Sequence, residues 1–435
     1  MSPSTPFGPP GTGPSTPLGA GGPAVDFLFS LERLGMKFGL ANIAAVCAAL
    51  GNPQDAFPSV IVAGTNGKGS VTAMVDAALR AGGHRSARYT SPHLQHIEER
   101  FTIDGTDVAP AVMDAAAGRV RQAVEALVES GELESLPTFF ECTTAVAFDL
   151  FREARVDVAV LEVGLGGRLD STNIVSPIAA AIVSIDFDHQ AQLGNTLASI
   201  AFEKAGVIKR GIPVVCGPIP REALDVIAKV CAEQGATLIR TDTDADLAAR
   251  VAAMPIGLAG EHQRANAGVA VRLLEAIGQT KPSLRVNEDR IRAGLASASW
   301  PGRLEYFTHG SCRILLDAAH NPAGARALAS YLRHAGGGDV TLVFGAMQDK
   351  AVGEMLTTLA PVVTSIVCAT APTARAMPAH ALAAIAAAIG IRAERVDDPV
   401  EAVTRACASG HLVVVAGSIF LIGPVREWLA RDILP

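Results

Sequence analysis

The most informative residues for chemistry lie in one glycine-rich segment, Gly64-Thr65-Asn66-Gly67-Lys68-Gly69-Ser70. An apolar run at 60–62 precedes this segment, and a stretch typical of a helix follows it at 71–80. A tight turn between a buried strand and a helix directs backbone N–H groups at one point, where the helix dipole adds positive potential. Lys68 would supply a positive charge for the β- and γ-phosphates, and the Ser70 hydroxyl could reach a phosphate or a bound Mg²⁺. The segment therefore predicts a phosphate-binding loop, with ATP as its ligand.

The segment differs from the general phosphate-loop pattern G-x-x-x-x-G-K-[ST] at two positions. Val62 stands where the pattern has its first glycine, and Gly69 is inserted between the lysine and the serine. An ordinary tight turn between a strand and a helix is the alternative interpretation. We favour the phosphate loop because a lysine stands where phosphate chemistry needs one.

An acidic residue and a histidine follow two further apolar runs. Glu162 is near the end of the run at 157–163, and His189 follows the run at 178–185. The carboxyl ends of parallel strands form the crevice where α/β sheets bind ligands. Mg²⁺ prefers a few oxygen ligands together with phosphate oxygens and water. By itself His189 would be interpreted as a packed or capping residue, but its position at the same edge as Glu162 favours a ligand role.

The composition excludes several classes of protein. Hydrophobic residues make up 49% and charged residues 18% of the 435 residues, which is typical of a soluble globular protein. The net charge of −7 and the lack of a Lys/Arg run argue against nucleic-acid binding. We find no apolar run of membrane-spanning length and no secretory signal, so we expect a cytoplasmic protein. The seven cysteines are scattered and never spaced C-x-x-C, so we expect buried thiols in a reducing compartment.

The order of apolar and helical segments predicts an α/β fold with two domains. Residues 1–23 are almost entirely Pro, Gly, Ser, Thr and Ala, which predicts a disordered tail. We assign 24–298 to a ligand-binding domain with a mostly parallel sheet, and 299–435 to a smaller α/β domain. The second domain has strand-like runs at 313–317, 340–344, 365–368 and 412–416.

Several segments together resemble one family, the bacterial bifunctional dihydrofolate synthases/folylpolyglutamate synthases of the Mur ligase superfamily. They occur in family order along the chain: 64–70 (GTNGKGS), 89–94 (YTSPHL), 138–141 (TFFE), 162–173 (EVGLGGRLDSTN), 188–189 (DH), 203–206 (EKAG), 262–267 (HQRANA), 300–305 (WPGRLE) and 317–322 (DAAHNP). The resemblance implies a P-loop-type Mur ligase central domain and a smaller, Rossmann-like C-terminal domain. Ala318 stands where the family usually has glycine.

The resemblance also implies roles for single residues. It places magnesium at Ser91, Glu162 and His189, and it implies that Lys204 is carboxylated by CO₂. It further implies ATP contacts beyond the loop, at Asn266, Arg303, Asp317 and His320. Among these residues and those of the loop, Lys68, Lys204 and His320 are expected to act in catalysis.

The substrate that carries the pterin ring is expected, by the same resemblance, near three segments. These are Lys37, Phe38, Gly39 and Leu40; Thr138, Phe139, Phe140 and Glu141; and Leu169, Asp170 and Ser171. The rings of Phe139 and Phe140 offer flat faces for a planar ligand. Plain core packing is the alternative for at least one of them.

The implied activity is ATP-dependent ligation of L-glutamate to dihydropteroate, to the γ-carboxylate of a folate, or to both, by a protein that is usually a monomer in the family. Two alternatives stay open. A cell-wall amino-acid ligase would have a K-T or K-S pair after the loop glycine, where this chain has Lys68-Gly69-Ser70. A nucleotide-driven switch would hydrolyse ATP without needing glutamate.

Overall fold

The structure is a computed structural model that describes residues 22–35, 38–133, 135–334 and 339–431. Most of the proposed tail, and the candidate substrate residue Lys37, lie outside the described residues. Gly22 and Pro23 are described, and Pro23 begins the first helix.

The described residues form fourteen strands in two sheets. The strands of the first sheet are β1 Ser59–Ala63, β2 Ser86–Tyr89, β3 Phe101–Ile103, β4 Thr106–Asp107, β5 Val158–Glu162, β6 Ala179–Ile182, β7 Pro213–Cys216 and β8 Thr237–Arg240. The strands of the second sheet are β9 Glu305–His309, β10 Cys312–Asp317, β11 Val340–Phe344, β12 Ser365–Cys368, β13 Ala393–Arg395 and β14 Leu412–Ala416.

Sixteen α-helices connect and cover these strands within the described part of the chain. The first eleven are α1 Pro23–Ser30, α2 Ala41–Ala49, α3 Lys68–Ala81, α4 Pro110–Glu129, α5 Phe139–Glu153, α6 Gln190–Leu193, α7 Leu197–Ala205, α8 Arg221–Gln234, α9 Ala245–Ala252, α10 His262–Thr280 and α11 Glu288–Ser297. The others are α12 Pro322–His334, α13 Val352–Leu359, α14 Ala379–Ala388, α15 Pro399–Cys407 and α16 Ile419–Arg431.

The first sheet has the strand order β4-β3-β2-β5-β1-β6-β7-β8. Only the β2–β3 and β3–β4 pairs are antiparallel. In β1, Val60 and Val62 belong to the core on one face, and Ile61 and Ala63 to the core on the other. This alternation lets helices cover both faces, which is why the strand is apolar throughout. The prediction of a mostly parallel sheet is confirmed.

The second sheet has the order β13-β12-β11-β14-β10-β9, and only β9 is antiparallel to its neighbour. It also has a core on each face, one containing Leu315 and Phe344 and the other Ile314 and Val343. The prediction of an α/β fold is therefore confirmed for this half as well. Trp300 packs on one of the two cores of the first sheet, and Leu304 belongs to one of the two cores of the second sheet. The exact division at 298/299 stays a prediction.

Two of the cysteines differ from expectation. Cys312, at the start of β10, and Cys407, at the end of α15, form a disulfide with a Cα–Cα distance of 5.5 Å. The other five cysteines are free and buried, as predicted. The prediction of seven thiols is therefore wrong for this pair, because residues 95 positions apart in the chain are brought together by the fold.

None of the helices in the described residues is long and apolar enough to cross a membrane.

Candidate active site

The glycine-rich loop follows the central strand of the first sheet. β1 pairs with β5 on one side and with β6 on the other, so Val62 is opposite Glu162 and Ala63 is opposite Ile182. The loop therefore begins between the carboxyl ends of both neighbouring strands. This is the place where open α/β sheets bind ligands.

Hydrogen bonds to the segment after β6 hold the loop in place. Thr65 N donates to the carbonyl of Ser184 at 2.8 Å, and Asn66 N donates to the Ser184 hydroxyl at 2.9 Å. The Thr65 hydroxyl donates to the Asp186 carbonyl at 3.1 Å. Helix α3 begins directly after Gly67, and no side chain caps its N-terminus. The first amides of a helix have no intrahelical partner, so this end is suited to bind an anion.

Two positions of the loop must be glycine, because neighbouring side chains leave no room for a Cβ atom. Gly67 has φ +82°, and a Cβ there would lie 2.5 Å from Asn266 Oδ1. A Cβ on Gly69 would lie 2.5 Å from the ring of Trp300. The inserted glycine, the most unusual feature of the loop sequence, thus lets the Trp300 indole pack against the start of α3.

Two lysines meet at the first loop residue. Lys68 Nζ donates to the carbonyls of Gly64 at 3.2 Å and Thr65 at 3.3 Å. Lys204, on α7, is only 4% exposed and donates to the same Gly64 carbonyl at 2.9 Å. Burial, and secondly the charge of Lys68, lower the pKa of Lys204 to about 7. Lys204 is therefore a lysine whose neutral amine is well populated near neutral pH.

Glu162 is a buried carboxylate at the end of β5, with 6% exposure. Its one hydrogen bond from the described residues is long, 3.4 Å from Ser91 N to Oε2. Burial raises the pKa of Glu162, whereas the charges of Lys68 and Arg303 oppose this increase. A buried carboxylate with so little hydrogen bonding is suited to bind a cation.

His189 follows β6 in the left-handed conformation, with φ 49°. Its amide donates to Asp188 Oδ1 at 2.9 Å, and burial lowers the pKa of its imidazole to about 4. A neutral imidazole is the form that binds metal ions.

Asp188 joins the two halves of the protein. It accepts hydrogen bonds from Lys350 Nζ at 2.6 Å and from Asn321 Nδ2 at 3.0 Å, and His320 Nε2 lies 3.5 Å from Oδ2. All three partners belong to the C-terminal half. Burial opposes ionisation, but the hydrogen bond with His320 and the nearby positive charges hold the pKa of Asp188 well below its usual range. This carboxylate is therefore ionised and links the loop that carries His189 to the second sheet.

The residues after β10 supply the facing wall. Asp317 accepts hydrogen bonds from the amides of Leu304 at 3.1 Å and Ala319 at 3.0 Å. Burial raises the pKa of Asp317, and the positive charge of Arg303 opposes this increase. His320 Nδ1 donates to the carbonyl of Ala318 at 2.9 Å. The ring of His320 is thus held between its own turn and Asp188.

Helix α10 adds a chain of amide side chains. Asn266 Nδ2 donates to Gln263 Oε1 at 2.9 Å, and Gln263 Nε2 donates to the Ser70 hydroxyl at 3.3 Å. Asn266 and Gln263 are both buried. Asn266, predicted to bind ATP, is therefore connected to the loop serine through Gln263.

A cavity of about 550 Å³ lies between the two sheets. All predicted nucleotide, metal and catalytic residues line it: Gly64, Thr65, Asn66, Gly67, Lys68, Gly69, Ser70, Ser91, Glu162, His189, Lys204, Asn266, Arg303, Asp317 and His320. Asp188, which links the two halves, lines it as well.

Of the residues predicted to bind the pterin, those that the structure describes do not line this cavity. Thr138 caps α5, and Glu141 Oε2 accepts hydrogen bonds from the amide and hydroxyl of Thr138 at 2.7 and 2.8 Å. Both side chains are buried and engaged with each other, which indicates a structural role. The sequence contained the signal for this role, since T-x-x-E before an apolar run is the capping-box pattern.

The two candidate aromatic residues differ in their surroundings. Phe140 packs against Tyr89 with ring centroids 5.9 Å apart, and a Cβ on Gly164 would lie 2.6 Å from its ring. Phe139 stacks on Phe29 at 5.8 Å, and the Arg100 guanidinium lies 5.1 Å from its ring centre. Both rings are partly buried against the same core, so the assignment of either ring to the pterin stays a prediction.

The remaining pterin candidates that the structure describes lie in two segments, one before α2 and one at the turn after Asp170. Asp170 caps the turn Ser171–Ile174 and accepts hydrogen bonds from Leu165 N at 2.8 Å and Thr172 Oγ1 at 2.6 Å. That turn contacts both α2 and α5. Leu40, partly buried, and Gly39 precede α2, and Phe38 is 55% exposed. Leu169 is partly buried and Ser171 buried.

A second cavity of about 610 Å³ adjoins the first. The residues that line both cavities are Gly69, Ser91, Pro92, Glu162 and Arg303. The second cavity also includes Arg88 and Trp300, and sequence reasoning assigned no role to the Arg88 side chain. An arginine within a short strand gives no signal of its function until the strand is placed in the sheet.

Comparison with known proteins agrees with this arrangement. Residues 302–419 match the family model described as "Mur ligase, glutamate ligase domain". The dihydrofolate synthase/folylpolyglutamate synthase of Mycobacterium tuberculosis is 34% identical, over 99% of this chain and 99% of that protein. The chain belongs to the dihydrofolate synthase/folylpolyglutamate synthase family. The resemblance inferred from the motifs is thereby confirmed, and the chain is an ATP-dependent ligase of this family.

Other members of the family show the same similarity. A probable bifunctional folylpolyglutamate synthase/dihydropteroate synthase of Haloferax volcanii is 36% identical over 95% of this chain, which spans about half (51%) of that protein. The M. tuberculosis folylpolyglutamate synthase complexed with ADP and AMPPCP superposes with a TM-score of 0.85 at 33% identity, covering 94% of this chain and 99% of that one. A bifunctional family member with Mn, AMPPNP and L-glutamate bound has a TM-score of 0.81 at 33% identity, covering 94% and 98%.

Proposed function

We propose that the chain joins the amine of L-glutamate to the carboxylate of dihydropteroate, to the γ-carboxylate of a folate, or to both. The observation that supports this most is the cavity between the sheets. It combines a phosphate loop and two lysines from one half with Arg303, Asp317 and His320 from the other. A site that combines residues from both halves suits a reaction in which one substrate is phosphorylated and a second substrate then attacks it.

In the reaction that we propose, a substrate carboxylate attacks the γ-phosphorus of ATP, the bond to the bridging oxygen breaks, and an acyl phosphate and ADP are formed. The glutamate amine then attacks the acyl carbon, and phosphate leaves. Lys68 and Arg303 neutralise the negative charge that moves during these steps. The contact between the halves excludes water, which would otherwise hydrolyse the acyl phosphate.

We propose that Ser91, Glu162 and His189 hold a magnesium ion together with the phosphates. Among the described residues, no group of three or more His, Cys, Asp or Glu side chains is arranged to hold a metal ion. This agrees with Mg²⁺, which is bound by one or two carboxylates plus phosphate oxygens and water. The scarcely bonded Glu162 carboxylate fits this role. The ion would supply charge for polarising the γ-phosphate.

We also propose that Lys204 is carboxylated. Its amine is buried, and its pKa is lowered to about 7, so the neutral form that reacts with CO₂ is available. The carbamate would replace a cation next to Lys68 with an anion, which removes the repulsion between the two lysines.

For the pterin ring, we propose the region around Phe139, bounded by Leu40 and the turn after Asp170. The exposed ring of Phe38 lies before Leu40 in the chain and supports an apolar ligand site. The cytoplasm as the location and the monomer as the oligomeric state also stay proposals. Size-exclusion chromatography with light scattering measures the second.

The test of the proposed function is ADP formation by the purified protein with ATP, Mg²⁺ and L-glutamate, using dihydropteroate and tetrahydrofolate in parallel. We expect ADP formation only when both the acceptor and glutamate are present. Activity with tetrahydrofolate alone would reduce the function to polyglutamate synthesis. ATP hydrolysis that is independent of glutamate would instead support the nucleotide-driven switch. Turnover of muramyl precursors would support the cell-wall ligase.

A further inference from the structure

The second cavity contains a guanidinium group without a sufficient partner. Arg88, on β2, has a side chain that is 16% exposed, and it lines this cavity. Its Nε atom is buried and has no hydrogen-bond partner among the residues that the structure describes. Because Nε is buried, a ligand in the cavity can reach only the terminal Nη groups of Arg88, and these form no hydrogen bond with the residues that the structure describes.

Three acidic residues act on Arg88 by their charge; Asp76 and Asp107 are already engaged, and Glu162 forms no ion pair with Arg88 among the described residues. The nearest carboxylate oxygen, Asp76 Oδ2, is 3.9 Å from Arg88 Nη1. Asp76 accepts shorter hydrogen bonds from Arg80 Nε at 3.2 Å and from Ser86 Oγ at 2.5 Å. Asp107 accepts one from the Thr102 hydroxyl at 2.9 Å. These contacts leave Arg88 with donor capacity toward the cavity.

Arg426, which also lines the second cavity, already has hydrogen-bond partners within the protein. Arg426 makes a bidentate pair with Glu305, from Nε to Oε2 at 2.9 Å and from Nη2 to Oε1 at 3.0 Å, and it also donates to Gln95 Oε1 at 3.0 Å. Its charge is therefore compensated within the protein. Arg303 lies at the wall shared by the two cavities. The negative charges of Asp317 and Glu162 act on its guanidinium, and we have assigned it to ATP binding.

The position of Arg88 relative to the phosphate loop suits substrate binding. Its guanidinium carbon lies 5.2 Å from the centre of the Trp300 ring, and Trp300 packs on Gly69 of the loop. An aromatic neighbour reduces the access of water to the guanidinium, which strengthens its interaction with an anion. Three residues after Arg88 comes Ser91, which lines both cavities.

We propose that the second cavity binds a glutamyl group and that Arg88 binds a carboxylate of that group by paired hydrogen bonds. This inference rests on the proposed function, which requires an amine donor next to the phosphorylated carboxylate. The wall shared with the nucleotide cavity, formed by Gly69, Ser91, Pro92, Glu162 and Arg303, is where the two substrates would meet. Two sources provide the same carboxylate, the incoming L-glutamate and the glutamate already attached to a folate.

The test uses Arg88→Met, which removes the charge, and Arg88→Lys, which keeps the charge but removes the planar fork. The matched control is Arg80→Met, because Arg80 also pairs with Asp76 but does not line the cavity. Loss of a charge-assisted, bidentate hydrogen bond should raise the KM for its substrate about tenfold to a hundredfold in Arg88→Met. Arg88→Lys should recover part of this loss, since a lysine cannot form the paired geometry. KM for ATP should stay close to the wild-type value in all three variants.

The choice of acceptor distinguishes the two sources. With dihydropteroate, which has no glutamyl group, an increased KM for L-glutamate identifies the incoming amino acid as the ligand. An increased KM for tetrahydrofolate, with KM for dihydropteroate and L-glutamate unchanged, identifies the attached glutamate. The proposal is overturned if folded Arg88→Met or Arg88→Lys keeps wild-type KM values for L-glutamate and tetrahydrofolate. It is also overturned if Arg80→Met causes the same change. A wild-type protein that turns over ATP without glutamate would refute the proposed function itself, before any variant is compared.

Discussion

Lys68 and Lys204 donate hydrogen bonds to the same oxygen atom, the carbonyl of Gly64, at 3.2 and 2.9 Å. Two ammonium groups at one acceptor repel each other, and Lys204 is also buried. Both effects favour its neutral form, with burial the larger, and its pKa falls to about 7. The phosphate loop is therefore contacted by two lysines, and the amine of Lys204 is the one that can react.

The reactivity of Lys204 should depend on pH in a defined direction. A base with a pKa of about 7 is mostly protonated at pH 6 and mostly neutral at pH 8, and only the neutral amine forms a carbamate. The carbamate signal of protein equilibrated with ¹³C-bicarbonate, measured by NMR, should therefore increase from pH 6 to pH 8. Lys68→Met should shift this increase to higher pH, because it removes the charge that helps to lower the pKa of Lys204. A signal that persists in Lys204→Arg would assign the carbamate to another amine.

Substitution of the loop lysine should abolish turnover without unfolding the protein. Lys68 is partly exposed in the cavity and donates hydrogen bonds only to loop carbonyls, so Lys68→Ala breaks no ion pair among the described residues. We expect kcat to fall by about 10²- to 10³-fold or more, as for other groups that stabilise a transition state by charge. ADP formation measures the loss, and circular dichroism checks the fold. An unfolded Lys68→Ala variant would contradict the description of this residue as a ligand-binding group.

Gly69→Ala should affect the loop through a steric clash. The new Cβ would lie 2.5 Å from the Trp300 ring, so the indole or the start of α3 must move. Overpacking of this kind destabilises by about 1–3 kcal/mol. We expect a higher KM for ATP and a lower melting temperature. Replacing the indole as well, in Gly69→Ala/Trp300→Leu, should restore part of the ATP affinity, and the size of this non-additivity measures the contact.

Gly353 provides the control for the effect of alanine itself. It lies in α13, and a Cβ there would have no atom within 4 Å. Gly353→Ala should stabilise the protein slightly, by up to about 1 kcal/mol, because alanine has the higher helix propensity. If Gly69→Ala behaves like Gly353→Ala, the contact with Trp300 does not constrain the loop.

The ion pair between the two halves should be essential for their association. Lys350 and Asp188 are 2.6 Å apart, and their side chains are only 9% and 8% exposed. Removing one partner of a buried pair leaves a charge uncompensated and destabilises by about 3–5 kcal/mol. Lys350→Met should therefore lower the melting temperature and raise the KM for ATP. The double variant Lys350→Met/Asp188→Asn should be less destabilised than Lys350→Met, whereas additive losses would show that the pair is not coupled.

The sequence predicted the buried strands well and the edge strands poorly. β1, β5 and β6 have cores on both faces, so their residues form continuous apolar runs that are visible without a structure. β9 is partly exposed along its length, and no apolar run indicates it. The candidate ligand-binding residues at the ends of β1, β5 and β6 could be placed together, because the carboxyl ends of parallel strands lie at the same edge of a sheet.

The contacts between the halves could not be predicted from local patterns. Lys350 follows β11, and no motif that we identified pointed to its partner Asp188. Arg88 and Trp300 are 212 positions apart in the chain, and their contact depends on how the segment after α11 packs against the first sheet. The disulfide between Cys312 and Cys407 was missed for the same reason, since spacing alone does not show which distant cysteines meet.

The amide side chains of Asn66 and Asn321 exchange two hydrogen bonds, at 3.2 and 3.0 Å, so the phosphate loop is bonded directly to the opposite half of the protein. Neither group carries a charge, and this contact should therefore be much less sensitive to ionic strength than the Lys350–Asp188 pair. If nucleotide binding to the loop strengthens the contact, thermodynamic reciprocity requires that the joined arrangement also binds nucleotide more tightly, by the same factor. Affinity for ATP would then report on the arrangement of the two halves, and salt would separate the contribution of the neutral pair from that of the charged one.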